Sequence, residues 1–203
     1  MNLAACAALP RTPENEVWYR LVQPHRLSTA LGSAHTRLKV SRFNAGHLQP
    51  APEQFATLYF ADDPIVGQFE AGAVLGSMAP GGYMPHPRLS FVCLNVHIIL
   101  RDVVDLTEIA STQVPLATTA QELTGDWRGY SERTKSSPLP HPTGVAPTQE
   151  LGRAIFLTGA EGFRTISAKV PDHRILVVFP ENLRAGSSLV FSDPSGTIVH
   201  TIP

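Results

Sequence analysis

Six polar side chains sit in surroundings that do not obviously call for them: Arg20, Arg42, Tyr59, Glu70, Trp127 and Ser167. Glu70 is the sharpest case. The residues around it, Ile65, Val66, Phe69, Ala73 and Val74, form an apolar stripe at helical spacing, and Glu70 is the one charge that interrupts them. A lone carboxylate in such a helix is either a solvated surface group or a group placed in a cleft for use. Each of the others also has an ordinary explanation when taken alone. Arg20 could snorkel from an edge strand, Arg42 could pair with a surface carboxylate, Tyr59 could be a core ring with a wet hydroxyl, and Trp127 could be core packing. Ser167 has no base partner visible in the sequence, so it is expected to donate a hydrogen bond rather than act as a nucleophile.

The elements that must carry these residues are short. Residues 1–15 read as a leader, followed by one domain over 16–203. Residues 17–22, aromatic and β-branched, predict a first strand that holds Arg20. Ser41-Arg42-Phe43-Asn44-Ala45-Gly46 reads as a turn, because Asn and Gly tolerate unusual backbone angles. A strand over 56–61 carries Tyr59. Asp62-Asp63-Pro64 then starts a helix, with an acidic N-cap and a proline in the first turn; the helix is expected to reach residue 76. Residues 79–87 are a breaker-rich loop, and 89–104 are a long strand or two short ones. Short helical segments are expected at 105–110 and 119–123. Residues 131–147 hold four prolines and read as a mobile loop. A helix from Pro147 to Leu157, strands at 161–168 and 174–179, and a closing hairpin through Asp193-Pro194-Ser195-Gly196 complete an α+β fold.

Composition excludes several functions. The formal net charge is −1 and the basic residues are scattered, so no nucleic-acid surface or anionic membrane is implied. No stretch approaches the ~20 apolar residues of a membrane span, and the N-terminus lacks the basic region of a signal peptide. A cytoplasmic protein is expected. Its two cysteines, Cys6 and Cys93, are expected to remain free thiols. No Cys/His cluster has metal spacing, so no metal site is expected. A phosphate-binding G-x-x-x-x-G-K-[ST] loop, a G-x-G-x-x-G turn and a G-x-S-x-G elbow are all absent.

The order of the polar residues is more informative than any one of them. Trp18-Tyr19-Arg20, then Arg42-Phe43-Asn44, then Leu58-Tyr59, then Glu70 eleven positions after that tyrosine, resembles the RES-domain family. The later blocks Leu123-Thr124-Gly125-Asp126-Trp127-Arg128, Thr148-Gln149-Glu150-Leu151-Gly152 and Glu161-Gly162-Phe163…Ser167 extend the resemblance over about residues 17–183. This chain departs from the family in having Val40-Ser41 before Arg42, and Lys169 where the family has an arginine.

The resemblance implies an ADP-ribosyltransferase-like fold: a split, mostly antiparallel β core with short flanking helices and a cleft for NAD. NAD would be substrate, with no resident cofactor. It implies a toxin of a type II toxin–antitoxin pair that cleaves the nicotinamide–ribose bond by hydrolysis or phosphorolysis and depletes NAD. Two other outcomes follow from the same fold: transfer of ADP-ribose to a protein, or an inactive NAD- or ADP-ribose-binding module. The implied roles are Glu70 as the carboxylate facing the developing oxocarbenium charge, Arg42 and then Arg20 as the pyrophosphate clamp, and Tyr59 as a flat face for nicotinamide or ribose. Ser167 would donate to the substrate, and Trp127 would line the site. The implied partner is a helix-turn-helix antitoxin covering the cleft, and the near-neutral surface is compatible with self-association within such a complex.

Overall fold

Two long strands, Arg11–Val22 (β1) and Val92–Asp105 (β5), pair antiparallel along most of their lengths and form the spine of the protein. The computed structural model describes residues 1–79, 81–130, 144–192 and 199–202. Between the long strands lie Leu58–Ala61 (β2), Pro64–Ala71 (α1), Val74–Gly76 (β3) and Tyr83–Pro85 (β4). After them come Ala120–Thr124 (α2), Pro147–Leu157 (α3), Gly162–Ile166 (β6), Arg174–Val178 (β7), Ser188–Ser192 (β8) and Val199–Ile202 (β9). The main sheet runs β1-β2-β7-β6-β5-β8-β9, and because β5 also pairs with β1 it closes into a barrel-like ring. The free edge of β5 is divided: residues 96–99 pair with β8 and residues 103–105 pair with β6. Only β5–β6 is parallel; the other pairings of this sheet are antiparallel.

Strand β5 shows why the apolar run over 91–100 is a strand. Leu94, Val96, Ile98 and Leu100 are buried, while Cys93, Asn95 and His97 between them are exposed, the alternation a pleated strand requires. These side chains meet Trp18, Leu58, Phe60 and Leu176 in one core. A second core lies on the other face, where Phe43, Phe55, Phe163 and Phe179 pack with Leu151 and Ile155 of α3. Phe43 meets Phe163 edge-on at 4.9 Å between centroids, and Phe163 lies 5.7 Å from Phe179. Such pairs contribute about 0.5–1.5 kcal/mol each beyond area burial. Cys6 and Cys93 are free thiols, the first buried and the second exposed.

Four expectations need correction. The segment expected to be a leader is packed: Leu3–Ala8 forms a 3-10 helix, Cys6 and Leu9 are buried, and β1 begins at Arg11. Its polar start, Arg11-Thr12-Pro13-Glu14, hides the strand because its charges pair with distant residues, Arg11 with Asp102 and Glu14 with Arg164. Helix α1 ends at Ala71 rather than near 76, because Gly72 adopts φ 70° and its N–H caps the Gln68 and Phe69 carbonyls. Val74–Gly76 is instead a strand, paired with Tyr83–Pro85 inside the expected 79–87 loop. The helical turn expected at 105–110 forms later, at Ile109–Gln113. Up to position 143 the expected mobile loop lies outside the described residues, as does the turn at 193–196.

Other boundaries match. Asp63 caps α1, its Oδ1 accepting from the N–H groups of Ile65 at 2.7 Å and Val66 at 3.3 Å, with Pro64 at the first helical position. Helix α3 spans the expected residues, and its Gly152 is required by packing. A Cβ there would lie 2.1 Å from the Phe43 carbonyl oxygen. Gly152→Ala is therefore expected to destabilise the protein by about 1–3 kcal/mol, since a rigid backbone atom must move. Denaturant unfolding checks this; an unchanged midpoint would contradict the packing described.

Candidate active site

Helix α1 brings Glu70 onto the floor of a cleft of about 570 Å³. The helix lies close against the barrel: a Cβ on Gly67 would meet Leu21 of β1 at 2.8 Å. One oxygen of the carboxylate is held. Glu70 Oε1 accepts from the Ser167 hydroxyl at 2.6 Å and from the Ala168 N–H at 3.0 Å. Ser167 is itself held, because its Oγ accepts from the Lys169 and Val170 N–H groups at 3.2 and 3.0 Å. With both N–H groups donating to it, the hydroxyl proton points to Glu70. The turn closes with the Ser167 N–H on the His173 carbonyl at 2.8 Å, and Asp172 within it adopts φ 64°. Glu70 Oε2 has no hydrogen bond or ion pair to the described residues, so one carboxylate oxygen is fixed and the other is available to the cleft.

Arg42 stands on the turn after Ser41, opposite this carboxylate. Its Nη1 donates to the carbonyls of Leu123 at 3.2 Å and Gly125 at 2.9 Å, the end of α2. The turn below it is fastened at several points. The Phe43 N–H donates to the Tyr59 hydroxyl at 3.1 Å, and Ser41 Oγ lies 2.8 Å from the same oxygen. Gln149 Nε2 donates to the Ser41 carbonyl at 2.8 Å, while its Oε1 accepts from the Ala146 N–H at 2.9 Å. Asn44, 1% exposed, donates to the Thr36 and Phe55 carbonyls and accepts from the Gly46 N–H. The Arg-Phe-Asn motif thus divides its labour: guanidinium outward, ring into the core, amide tying the turn. Burial lowers the Arg42 pKa, which the charge of Glu70 partly restores, and burial raises that of the Tyr59 phenol. Tyr59 is therefore neutral, with its ring face on the cleft and its hydroxyl engaged in the fold.

Arg20 approaches from the other end of Tyr59. Its Nη1 donates to the Tyr59 carbonyl at 3.0 Å and its Nε to the Ala30 carbonyl at 3.2 Å, with the guanidinium 5.6 Å from the Phe60 ring centroid. Burial pushes its pKa down to about 10, so it stays charged at neutral pH. Trp127 also lines the cleft, its ring under the Arg128 guanidinium at 4.9 Å. Five of the six expected residues line the cleft directly; Ser167, 4% exposed, lies behind Glu70.

The cleft is strongly electropositive. Among the described residues lining it, Arg20, Lys39, Arg42, Arg128 and Lys169 face a single carboxylate, Glu70. His35 registers this field: burial, Arg26, Arg20 and Lys39 together lower its pKa. Among the described residues no group of three or more His, Cys, Asp or Glu side chains could hold a metal. The sequence reading missed Ser41 and Gln149, which hold the Arg42 turn. Gln149 lay inside the Thr148–Gly152 block, and its place in that family-like block was the one signal for it.

A carboxylate with one oxygen fixed thus lies in a cleft whose other charged lining residues, among those described, are cationic, on a barrel-like α/β fold. The RES-domain profile matches residues 17–199, and the chain belongs to the RES-domain family. Among solved structures, the fold is similar to one described as the M. tuberculosis MbcT–MbcA toxin–antitoxin complex, with TM-score 0.64 and 19% identity over 94% of this chain and 88% of that one. A search of curated proteins finds no match.

Tyr59→Phe tests the frame of the site. Removing the hydroxyl leaves the buried Phe43 N–H without its acceptor, which costs about 1–3 kcal/mol. The unfolding midpoint is expected to fall and the Arg42 turn to loosen, seen as faster amide exchange at Phe43. Wild-type exchange there would contradict the assignment.

Proposed function

We propose that this chain is the toxin of a toxin–antitoxin pair and that it cleaves NAD at the nicotinamide–ribose bond. The observation that carries this reading is Glu70: one oxygen tied to Ser167 and Ala168, the other open to a cleft whose remaining charges are cationic. Breaking the C1′–N bond sends its electron pair to nicotinamide, which leaves neutral, and leaves positive charge on the ribose. A carboxylate at that ribose stabilises the charge and accepts from the ribose hydroxyls. Arg42 neutralises the pyrophosphate with the donors not used on Leu123 and Gly125. The Tyr59 face and Trp127 orient the rings. Ser167 is a positioning residue, because its hydroxyl is spent on Glu70. Water or phosphate then takes the ribose C1′. Lys169, exposed at the rim, supplies charge without the planar fork of an arginine.

Family membership and the shared fold support the toxin role, and the ADP-ribosyltransferase-like character of the core belongs to the same proposal. The fold neighbour was determined as a toxin–antitoxin complex, which supports an antitoxin partner, proposed here to cover the cleft. Among the described residues no helix is long and apolar enough to cross a membrane; a toxin that consumes NAD would act in the cytoplasm.

Release of nicotinamide from NAD by the purified protein tests the chemistry. Glu70→Gln is expected to lower kcat by about 10²–10³-fold, the typical loss for one group placed at developing charge, with thermal unfolding unchanged. Ser167→Ala is expected to lower it by about 10–100-fold through misplacement of Glu70. A folded Glu70→Gln protein that retains wild-type turnover would sink the assignment.

A further inference from the structure

The cleft carries more positive charge than NAD can use. NAD brings two negative charges on its pyrophosphate and one positive charge on nicotinamide. Against these stand, among the described lining residues and before Arg128 is counted, Arg20, Lys39, Arg42 and Lys169 with one carboxylate. The charges fall into two neighbourhoods, at opposite ends of one residue. Tyr59 offers its hydroxyl to the Phe43 N–H of the Arg42 turn, and its carbonyl to Arg20. Around Arg42 the charged neighbours are Glu70, Arg128 and Asp126. Around His35 they are Arg26, Arg20 and Lys39, with no carboxylate among them.

The second neighbourhood gathers cationic side chains without a carboxylate. Arg20 is anchored to the Ala30 and Tyr59 carbonyls and lies against the Phe60 ring, so its guanidinium is held rather than free to swing. No carboxylate of the described residues lies within ion-pair distance of it, which is unusual for a largely buried cation. His35 and Lys39, exposed on the 3-10 turn Ala34–Arg37 and just after it, complete the wall from the solvent side. Burial and the charges of Arg26, Arg20 and Lys39 lower the His35 pKa, and a bound anion would reverse the charge part of that shift. Its place, at the carbonyl end of Tyr59 while the Arg42 turn is held at the hydroxyl end, sets it apart from the clamp on the pyrophosphate. It suits a second phosphate on the far half of a dinucleotide.

We propose that Arg20, His35 and Lys39 form a phosphate-monoester subsite, and that the preferred substrate is a dinucleotide phosphorylated on its adenosine ribose, NADP rather than NAD. The proposal rests on the dinucleotide reading of the cleft. It changes which cellular pool the protein drains: the phosphorylated, biosynthetic dinucleotide first. The subsite adds charge-assisted bonds and a preformed cationic field to one substrate only, which is how a single extra group becomes specificity.

Two measurements test it together. First, nicotinamide release from NADP and from NAD is compared in wild type, Lys39→Gln and His35→Gln. Wild-type kcat/KM is expected to be about tenfold or more higher for NADP; each variant is expected to lose about tenfold on NADP and to stay within twofold on NAD. Equal use of both dinucleotides, or variants that affect both alike, would overturn the subsite while leaving NAD cleavage standing. Second, calorimetry compares adenosine 2′,5′-bisphosphate with AMP and with inorganic phosphate. The bisphosphate is expected to bind about tenfold more tightly than AMP in wild type and equally in Lys39→Gln, with the His35 ring signal showing a raised pKa on binding. If neither dinucleotide is cleaved yet this preference persists, the subsite stands and the cleavage reading fails. Inorganic phosphate binding as tightly as the bisphosphate would overturn the proposal in favour of a free-phosphate site.

Discussion

The hydroxyl of Tyr59 is the point on which the site depends. It sits on a barrel strand yet accepts the Phe43 N–H and meets the Ser41 hydroxyl, so it fastens an irregular turn to the most regular part of the fold. The same residue's carbonyl fastens Arg20. One residue therefore touches both cationic walls, its hydroxyl through the backbone of the Arg42 turn and its backbone carbonyl on Arg20 directly. Burial keeps the phenol neutral and raises its pKa, which suits a group used as scaffold rather than as acid or base.

The opposite wall follows the same logic by different means. Glu70 is carried on a helix with a strong start and a strong stop, Asp63 and Gly72, so its place along α1 is fixed. A carboxylate still needs orientation, and Ser167 provides it from a turn shaped by its own hydroxyl. The site thus joins three separate segments of chain, each rigid for local reasons. Helix α3 adds the back support: Gln149 bonds the Ser41 carbonyl, and Gly152 lets the helix reach the Phe43 backbone.

What could be read in advance was local. The cap at Asp63, the long strand that became β5, and helix α3 all follow from short-range pattern, and so their bounds were close. The family resemblance gathered Arg20, Arg42, Tyr59, Glu70 and Trp127, and the structure does bring them to one cleft. It could not say that Ser167 would face Glu70 rather than the cleft, since that depends on two N–H groups saturating its oxygen. Strand β1 was missed over its first half because Glu14 and Arg11 look solvated in sequence; their partners, Arg164 and Asp102, lie far along the chain. The early end of α1 was missed for a simpler reason. Val74 and Leu75 continue an apolar stripe, but Gly72 in the left-handed region stops the helix and the hairpin with β4 takes them.

The central claim is that Glu70 and Arg42 face the two chemically distinct ends of the nicotinamide half of one ligand. A crystal structure of the Glu70→Gln protein with NAD or NADP bound tests it most directly. The account predicts the pyrophosphate within hydrogen-bond distance of Arg42, and a nicotinamide-ribose hydroxyl on the side chain at position 70. A dinucleotide bound outside this cleft, or reversed so that its adenosine ribose meets position 70, would contradict it.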